Sequence, residues 1–482
     1  MAEKIRAAGV SEMSNADCTW LTDLTANGHI LHKFGYAHGD HEYWRRRTEN
    51  DGTLTLEPSV RVSQIVVEPV LKQAAEETGM ADVRFGWALV GFEQDEDGVT
   101  SQIKNTQTEE IVTVRSKYLV GCDGGNSLVR TQLGITSEGP GPVGNAYLVH
   151  FRSTDLKVLH HFGQAWHYMS PSVAMIAQND TSEWTVHRLY GPTEKAGDLD
   201  PRQVIEETFG CKFDFEVLVA NPWTAHFVVA NDYGVGRVFI AGDACHQYVP
   251  SGGYGMNTGA AEASNLAWKL AATIQGFGGP DLLASYGRER QPIAMLSMQT
   301  SMRHMGIRMQ IAQLYAEIPD IHGNSDQAKS NRARLGLKIA ELGNGENEGW
   351  GTEHGYSYDG SPAIVPDGTP APHFDWSTYI PTTRPGARLP SLFLEDGSAV
   401  YDRLGKWFTL IVTDGSDCSA FTAAARQFNI PLEILAIADE KAAQVYEKPL
   451  LLVRPDHHVA WRGAAVPPDP EGILRTAVGM NA

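Results

Sequence analysis

The segment GRVFIAGDACHQYVPSGGYGMNTG, residues 236–259, constrains the fold of this 482-residue chain more than any other stretch. Its apolar run at 237–241 predicts a buried strand that leads to Asp243, then a glycine-rich turn and a helix beginning near Asn257. Ligands of open α/β sheets bind at the carboxyl ends of strands, where helix N-termini offer free N–H groups. The segment therefore predicts an α/β fold with a site for an anionic or electron-rich ring, although such turns also serve packing alone.

A second strand-to-turn pattern lies at GCDGGNSLVRTQLG, residues 121–134. Residues 109–124 read as one strand that enters a buried parallel sheet and ends at Asp123. Ser127 is placed to cap the following helix, and Arg130 would bring positive charge to the same turn. Alone the pattern is weak, because Asp-Gly turns are common; beside the first segment it predicts a shared site.

Charge and cysteine content limit the partners and the compartment. The formal net charge of -19 disfavours nucleic acid and anionic membrane surfaces, and raises the prospect of a small uncharged or weakly charged substrate. The five cysteines contain no C-x-x-C pair, which favours free thiols and a cytoplasmic protein. No signal peptide, membrane-spanning run or metal-binding cluster is predicted.

The two segments together resemble the paired motifs of the class A FAD-dependent aromatic hydroxylases, and specifically the phenol and chlorophenol hydroxylase branch. The family motif DG-x-x-S-x-x-R is matched by Asp123, Gly124, Ser127 and Arg130. The motif GD-x-x-H-x-x-P-x-x-G-x-G-x-N is matched by Gly242, Asp243, His246, Pro250, Gly253, Gly255 and Asn257. Gln64 in VSQIVVEPVL resembles a family glutamine that reaches the flavin side chain.

The resemblance implies a role for each residue. Asp243 would hold the ribityl chain of FAD, and the backbone of Met256 and Asn257 would face the flavin pyrimidine edge. Asp123 and Arg130 would lie between the pyrophosphate and the path of NAD(P)H. The cofactor-binding residues are thus predicted to be Gln64, Asp123, Arg130, Gly242, Asp243, Gly253, Gly255, Met256 and Asn257. Pro250, beside the substrate ring, and His246 are assigned to catalysis.

The implied activity is hydroxylation of a phenol. NAD(P)H would reduce FAD, and reduced FAD with O2 would form a C4a-hydroperoxide that transfers one oxygen atom to the ring. The protein would orient the cofactor and exclude water. A homodimer is expected from the family alone. The alternatives are a non-catalytic or weakly FAD-binding paralogue that binds aromatic ligands, and a flavin enzyme that oxidises without hydroxylating.

The expected fold class is α/β with α+β character: a Rossmann-like FAD-binding domain, an inserted antiparallel-sheet substrate domain and a C-terminal thioredoxin-like domain. The predicted segments are 1–140 (FAD-binding part with early substrate-domain strands), 141–230 (substrate sheet), 231–318 (FAD-binding segment and long helix), 319–390 (mostly extended linker) and 391–482 (thioredoxin-like, without C-x-x-C).

Three finer patterns predict which side chains are buried or exposed. The predicted inner face of the helix after Asn257 consists of Ala263, Leu266, Ala267, Leu270 and Ile274. The basic run 45–47 reads as a solvated face rather than an anion site. The histidines at 160, 161, 167 and 187 fit either a substrate pocket or ordinary sheet positions, the latter being more common.

The G-x-G-x-x-G turn that seats the pyrophosphate in this family is expected to be absent. MAEKIRAAGVSE resembles the family segment just after that βαβ unit. The literal match GPGPVG at 139–144 is rejected because its prolines rigidify it and no strand precedes it or helix follows it. A misassigned start codon, a truncated paralogue and a unit supplied by another polypeptide all fit this pattern.

Overall fold

The computed structural model describes residues 1–9, 18–36, 39–179, 181–191 and 193–480. The helices are α1 (Ala2–Ala8), α2 (Gly39–Glu49), α3 (Gln64–Glu77), α4 (Leu128–Gln132), α5 (Leu156–Leu159), α6 (Pro201–Phe209), α7 (Tyr254–Gln275), α8 (Pro280–Glu317), α9 (Asp326–Leu342), α10 (Trp350–His354), α11 (Ser419–Gln427), α12 (Glu440–Val445) and α13 (Pro470–Ala477). The strands are β1 (Cys18–Leu21), β2 (Ile30–Phe34), β3 (Trp87–Gln94), β4 (Val99–Asn105), β5 (Ile111–Ser116), β6 (Leu119–Gly121), β7 (Ser137–Glu138), β8 (Gly144–Arg152), β9 (His167–Met169), β10 (Val173–Ala177), β11 (Glu183–Tyr190), β12 (Glu216–Ala225), β13 (Val228–Ala230), β14 (Gly234–Val235), β15 (Val238–Ile240), β16 (His246–Gln247), β17 (Phe408–Val412), β18 (Leu432–Ala436), β19 (Leu450–Val453) and β20 (Val459–Gly463).

A seven-stranded sheet forms the middle of the chain, in the order β12-β8-β11-β10-β9-β1-β2. Neighbouring strands are antiparallel except β1 and β9, so the antiparallel sheet predicted from the alternating pattern is confirmed. Its inner face packs Phe151, Trp184 and Val186 against α6, where Ile205 and Phe209 are buried. Burial of each such side chain contributes about 1.5–3 kcal/mol.

A small sheet in the order β14-β15-β6 positions the two motif turns. Strands β15 and β6 are parallel, with Ile240 opposite Gly121, so both turns emerge at the same edge. The single strand predicted over 109–124 is wrong: it divides into β5, which pairs with β4, and β6. At the break, Ser116 Oγ donates a hydrogen bond to the Tyr118 carbonyl. The rejected GPGPVG segment leads into strand β8, not into a helix.

Helix α7 buries a polar stripe, contrary to its predicted inner face. Leu266 is buried as predicted, but Ala263, Ala267 and Ile274 are exposed. The buried face includes Glu262, Asn265, Trp268 and Lys269. The apolar periodicity predicted the wrong inner face because these polar side chains bond to buried partners in distant parts of the chain.

The segment predicted as a mostly extended linker contains two helices. Ser325 caps α9 by accepting a hydrogen bond from the Ala328 N–H at 3.0 Å, and Leu335 and Ile339 pack against β1 and the end of α8. The extended interpretation is therefore wrong for α9 and α10. Helix α8 has 38 residues, but within the described part of the chain no helix carries the apolar run that crossing a bilayer would require.

The C-terminal sheet has the order β18-β17-β19-β20, with β17 parallel to β18 and antiparallel to β19. This matches the predicted thioredoxin-like fold, with the short helix α12 added to the predicted element order. Phe408, Leu410 and Phe421 share a core with Trp268 of α7 and Leu282 of α8. The C-terminal domain is therefore packed directly onto the two long helices.

A buried ionic cluster crosses the same contact. Glu289 of α8 accepts two hydrogen bonds from Arg454 at 2.7 and 2.8 Å and one from Lys269 at 2.6 Å, and all three side chains are fully buried. Asp456 also contacts Arg454. Burial opposes ionisation of Glu289, but the charges of Arg454 and Lys269 outweigh it and hold the pKa of the carboxyl below its ordinary value. The three groups therefore remain charged together.

We expect Glu289→Gln to lower the free energy of unfolding by about 3–5 kcal/mol, because it leaves the buried Lys269 without its counter-charge and Arg454 with Asp456 alone. Since the folded-state pKa of Glu289 is depressed, its contribution is complete above the ordinary value of 4.5 and is lost as pH falls below it. Urea unfolding at a series of pH values should show the wild-type advantage shrinking below that pH.

The matched control is Glu341→Gln, which removes an exposed carboxylate paired with Lys338. It should leave stability almost unchanged. Equal effects of the two substitutions would contradict the structural role of the cluster.

Candidate active site

Arg130 joins the two motif turns. Its guanidinium donates one hydrogen bond to the Ala244 carbonyl at 2.8 Å and another to the Gly125 carbonyl at 2.7 Å. Ala244 belongs to the 3₁₀ turn Gly242–Ala244 that follows β15, whereas Gly125 belongs to the turn after β6. The structure thus brings the two sequence motifs together, with a positive charge at the junction.

Asp123 and Ser127 shape the first turn. Asp123 accepts hydrogen bonds from Ser127 Oγ at 2.5 Å and from the Val129 N–H at 3.1 Å. Ser127 Oγ accepts from the Arg130 N–H, so the predicted cap of α4 is present. Both carboxylate oxygens of Asp123 therefore organise the loop that carries Arg130.

Glu262 lies beneath the second turn. Its carboxylate is fully buried and accepts a hydrogen bond from the Gly242 N–H at 2.8 Å. His246 Nε2 is 3.2 Å from the same oxygen, and the His246 ring stacks on Tyr248 at 5.0 Å. Because the His246 side chain is 1% exposed, the geometry favours a positioning role over direct contact with a reactant.

Open space borders three glycines near the N-terminus of α7, and we call this space the groove. Added Cβ atoms at Gly242, Gly253 and Gly255 would meet nothing within 4 Å, and φ is +68° at Gly253. Met256 is 51% exposed, and Asn257 is exposed with its amide donating to the Gly253 carbonyl. A flat group can therefore approach the free N–H groups at the start of this helix.

Asp243 directly follows Gly242 in the turn after β15. The residue is exposed, and it forms no hydrogen bond or ion pair with any part of the chain that the structure describes. Pro250 is also exposed, and its carbonyl accepts the Gly253 N–H at 2.9 Å. Gln64 is exposed on the first turn of α3 and donates to Glu68 at 2.8 Å. The roles of these residues toward a ligand stay predictions.

A cavity of about 310 Å³ adjoins the glycine turn at Gly252. Trp166, His167 and Tyr36 form part of its wall. Trp350 of α10 also lines it, although Trp350 lies nearly 200 residues after Trp166 in the sequence. We call this space the Trp166 cavity. Its aromatic lining suits a flat apolar ring.

The charged groups of the Trp166 cavity are largely paired. Glu346 accepts two hydrogen bonds from Arg308 at 2.9 and 2.7 Å; burial opposes its ionisation, but the Arg308 charge lowers its pKa. Burial, reinforced by the charge of Arg61, lowers the pKa of His167 to about 3, so this ring is neutral at neutral pH. Burial raises the pKa of Glu353.

One surface interpretation from the sequence changes here. Arg46 is 3% exposed and pairs with Glu42, so the basic run is not uniformly solvated. A larger cleft of about 1010 Å³ lies between β14, β15 and the first turns of α8. None of the predicted site residues line that cleft or the Trp166 cavity, although Gly252, the neighbour of the predicted Gly253, lines the latter.

Sequence reasoning missed Glu262 and the α10 wall of the cavity. Glu262, Asn265 and Lys269 recur at spacings of three and four, which is the one local sign of a polar buried stripe. Trp350 and Glu346 lie in a segment whose composition predicts a linker, so only the tertiary fold brings them to the site.

Known protein families match most of the chain. Residues 1–301 match the family described as FAD binding domain, and residues 382–480 match the family described as aromatic-ring hydroxylase, C-terminal. FAD-dependent monooxygenase opdD of Penicillium oxalicum is 36% identical over 490 residues, covering 96% of this chain and 93% of the relative.

More distant relatives include the 2,4-dichlorophenol 6-monooxygenase of Cupriavidus pinatubonensis, which is 31% identical and covers 86% of this chain and 77% of its own length. The crystal structure of the flavin-dependent monooxygenase PieE in complex with FAD and substrate superimposes with a TM-score of 0.86 at 30% identity, covering 98% of this chain and 88% of that one. This chain therefore belongs to the FAD-dependent aromatic-ring hydroxylases, the class A flavoprotein monooxygenases.

Proposed function

We propose that this protein hydroxylates a phenolic or similarly electron-rich aromatic substrate, using FAD, NAD(P)H and O2. Two observations carry the proposal. The exposed carboxylate of Asp243 has no partner among the described residues, and the glycines at the start of α7 face open space. The Trp166 cavity reaches Gly252, which precedes this helix. A cofactor groove and an aromatic-lined cavity thus share one glycine-rich turn.

The residues of the groove fit a flavin. Asp243 would accept hydrogen bonds from ribityl hydroxyls, and the N–H groups at Met256 and Asn257 would face the pyrimidine edge. The open space over Gly253 and Gly255 is what a flat ring needs. Asp123, Arg130 and Gln64 would support the rest of the cofactor.

Bound FAD would supply the electron transfer and the oxygen chemistry that side chains lack. In the overall reaction, two electrons come from NAD(P)H, one oxygen atom enters the aromatic ring and the other leaves as water. The chain itself contributes the surroundings of the ring: Trp166 and Trp350 line the cavity, and His167 stays neutral. Pro250 would border the substrate, and His246 with Glu262 would hold the turn.

Location, assembly and domain limits belong to the same proposal. The five cysteines are free, which supports a cytoplasmic site of action. A homodimer rests on the family alone. The segments proposed are 1–140, 141–230, 231–318, 319–390 and 391–482, with α9 and α10 now placed inside the fourth.

Replacing Asp243 by Ala should weaken FAD binding by roughly tenfold or more, because hydrogen bonds to a carboxylate are lost. Quenching of FAD fluorescence during titration of the purified chain measures the affinity. The control is Asp326→Ala, which removes a carboxylate that is 99% exposed and far from the motif turns in sequence. Similar affinities for the two variants would contradict the assignment of Asp243.

Phenols should accelerate NAD(P)H oxidation by the FAD-loaded protein. We expect 2,4-dichlorophenol or 1-naphthol to raise the oxidation rate, and mass spectrometry to find a product that has gained one oxygen atom. Binding of phenols with no added oxidation would favour the non-catalytic alternative. Oxidation that yields a product without added oxygen would instead indicate a flavin oxidase.

A further inference from the structure

A small cavity of about 10 Å³ lies next to the Trp166 cavity, and Glu346 lines both. Its walls also include Trp20 of β1 and two side chains of α8, His304 and Arg308, and we call it the Trp20 cavity. His304 and Arg308 are four residues apart, so they share one face of the helix. Trp20 reaches this face because β1 packs against the end of α8 in a shared core.

Three buried nitrogen atoms at the Trp20 cavity have no hydrogen-bond partner among the residues that the structure describes. They are Trp20 Nε1, His304 Nδ1 and Arg308 Nε, one from each of the three side chains. Trp20 is 3% exposed and His304 is 2% exposed, so bulk solvent does not serve them. Buried polar groups are normally hydrogen-bonded, and three unmet groups around one space indicate a common partner.

The size and the charge of the Trp20 cavity decide what that partner is. A space of about 10 Å³ accommodates one water molecule and is too small for a substrate group such as a carboxylate. The Arg308 guanidinium is paired with Glu346 at 2.7 Å, so the two charges cancel and the walls do not favour an ion. Buried water typically makes about three hydrogen bonds, which is the number of unmet nitrogens here.

We propose that the Trp20 cavity binds one water molecule, which accepts hydrogen bonds from Trp20 and Arg308 and donates one to His304 Nδ1. The indole and guanidinium N–H groups can only donate, so they occupy both acceptor positions of the water. The remaining contact, to His304, must therefore use a hydrogen atom of the water. His304 then carries its own proton on Nε2.

A neutral His304 ring is consistent with this assignment. Burial lowers the pKa of His304 to about 4, so the ring holds a single proton at neutral pH. Which of the two ring nitrogens carries that proton is set by the hydrogen bond that the other one makes. The water at Nδ1 thus selects the tautomer.

The tautomer decides the direction of a hydrogen bond at the start of α7. His304 Nε2 is 3.1 Å from Tyr254 Oη, and the two rings stack with their centres 6.0 Å apart. With the proton on Nε2, His304 donates and the Tyr254 oxygen accepts. Tyr254 is the first residue of α7 and follows Gly253, which borders the groove. His304 is therefore a positioning residue that acts on the groove through Tyr254, a role that rests on the proposed function.

Close packing keeps both rings of this pair in place. The His304 ring lies edge-on to Trp376, with the ring centres 5.6 Å apart. A Cβ atom added at Gly349 would overlap the Tyr254 hydroxyl, so no side chain fits there. Because neither ring is free to turn away, the water sets which partner donates rather than whether the two rings meet.

Nitrogen NMR of the full chain with ¹⁵N-labelled histidine tests the tautomer without FAD or turnover. The His304 signals are those that disappear in His304→Gln. We expect the wild-type chain to carry the His304 proton on Nε2. Trp20→Phe should raise the share of the Nδ1-protonated tautomer about fivefold, because it removes one fixed donor and frees an acceptor position of the water.

Trp268→Phe is the matched control. Trp268 Nε1 is likewise buried without a partner among the described residues, but it lies in the core shared with the C-terminal domain. The substitution should leave the His304 signals unchanged. A crystal structure adds a direct check, since it should show one water within about 3.2 Å of all three nitrogens.

Titration with FAD tests the positioning role of His304. His304→Gln keeps an N–H group that can donate to Tyr254, whereas His304→Leu keeps the bulk and loses the donor. We expect His304→Leu to weaken FAD binding about fivefold, as the loss of one hydrogen bond implies, and His304→Gln to restore most of the affinity.

The inference fails if wild-type His304 is protonated on Nδ1, if Trp20→Phe and Trp268→Phe change its signals equally, or if the cavity holds an ion or no water. Equal losses of FAD affinity in His304→Leu and His304→Gln would overturn the positioning role. The wild-type signal decides the tautomer even where a variant does not fold. A chain with the expected tautomer that never binds FAD would instead refute the proposed function alone.

Discussion

The buried carboxylate of Glu262 is the interaction on which the site depends. It accepts the Gly242 N–H and lies within reach of His246, so one desolvated group fixes the turn after β15 against helix α7. Arg130 then ties that turn to the neighbouring one through two carbonyls. Because the buried side chain contacts both the turn and His246, this arrangement specifies one geometry of the groove rather than adding much stability. Glu262 and Arg130 hold the turn, so the Asp243 carboxylate is not needed for that and is available to a ligand.

Helix α7 connects this groove to the C-terminal domain. Its first turn forms the groove, and four turns later Lys269 joins Glu289 and Arg454 in the ionic cluster. The apolar contacts of Trp268 with Phe408 run beside that cluster. The C-terminal domain thus supports the helix that carries the site. Its single cysteine, Cys418, is buried, which fits packing better than redox exchange.

The parts that sequence predicted well are those encoded locally. Asp123, Ser127 and Asp243 each follow an apolar strand within a few residues, so turn and cap chemistry placed them correctly. The inner face of α7, the helix α9 and the cavity wall at Trp350 were not predictable in this way. Each depends on a partner far along the chain, and local periodicity or composition cannot show that Lys269 meets Glu289 or that Trp350 meets Trp166 in one cavity.

The central claim is that one groove, formed by both motif turns and the start of α7, binds the flavin. Hydrogen–deuterium exchange of the full chain with and without FAD tests it most directly, because the N–H groups at this helix start are open to solvent until a ligand covers them. The account predicts slower exchange in peptides spanning 121–134 and 242–257 when FAD is added. Unchanged exchange in both segments, with protection elsewhere, would contradict it.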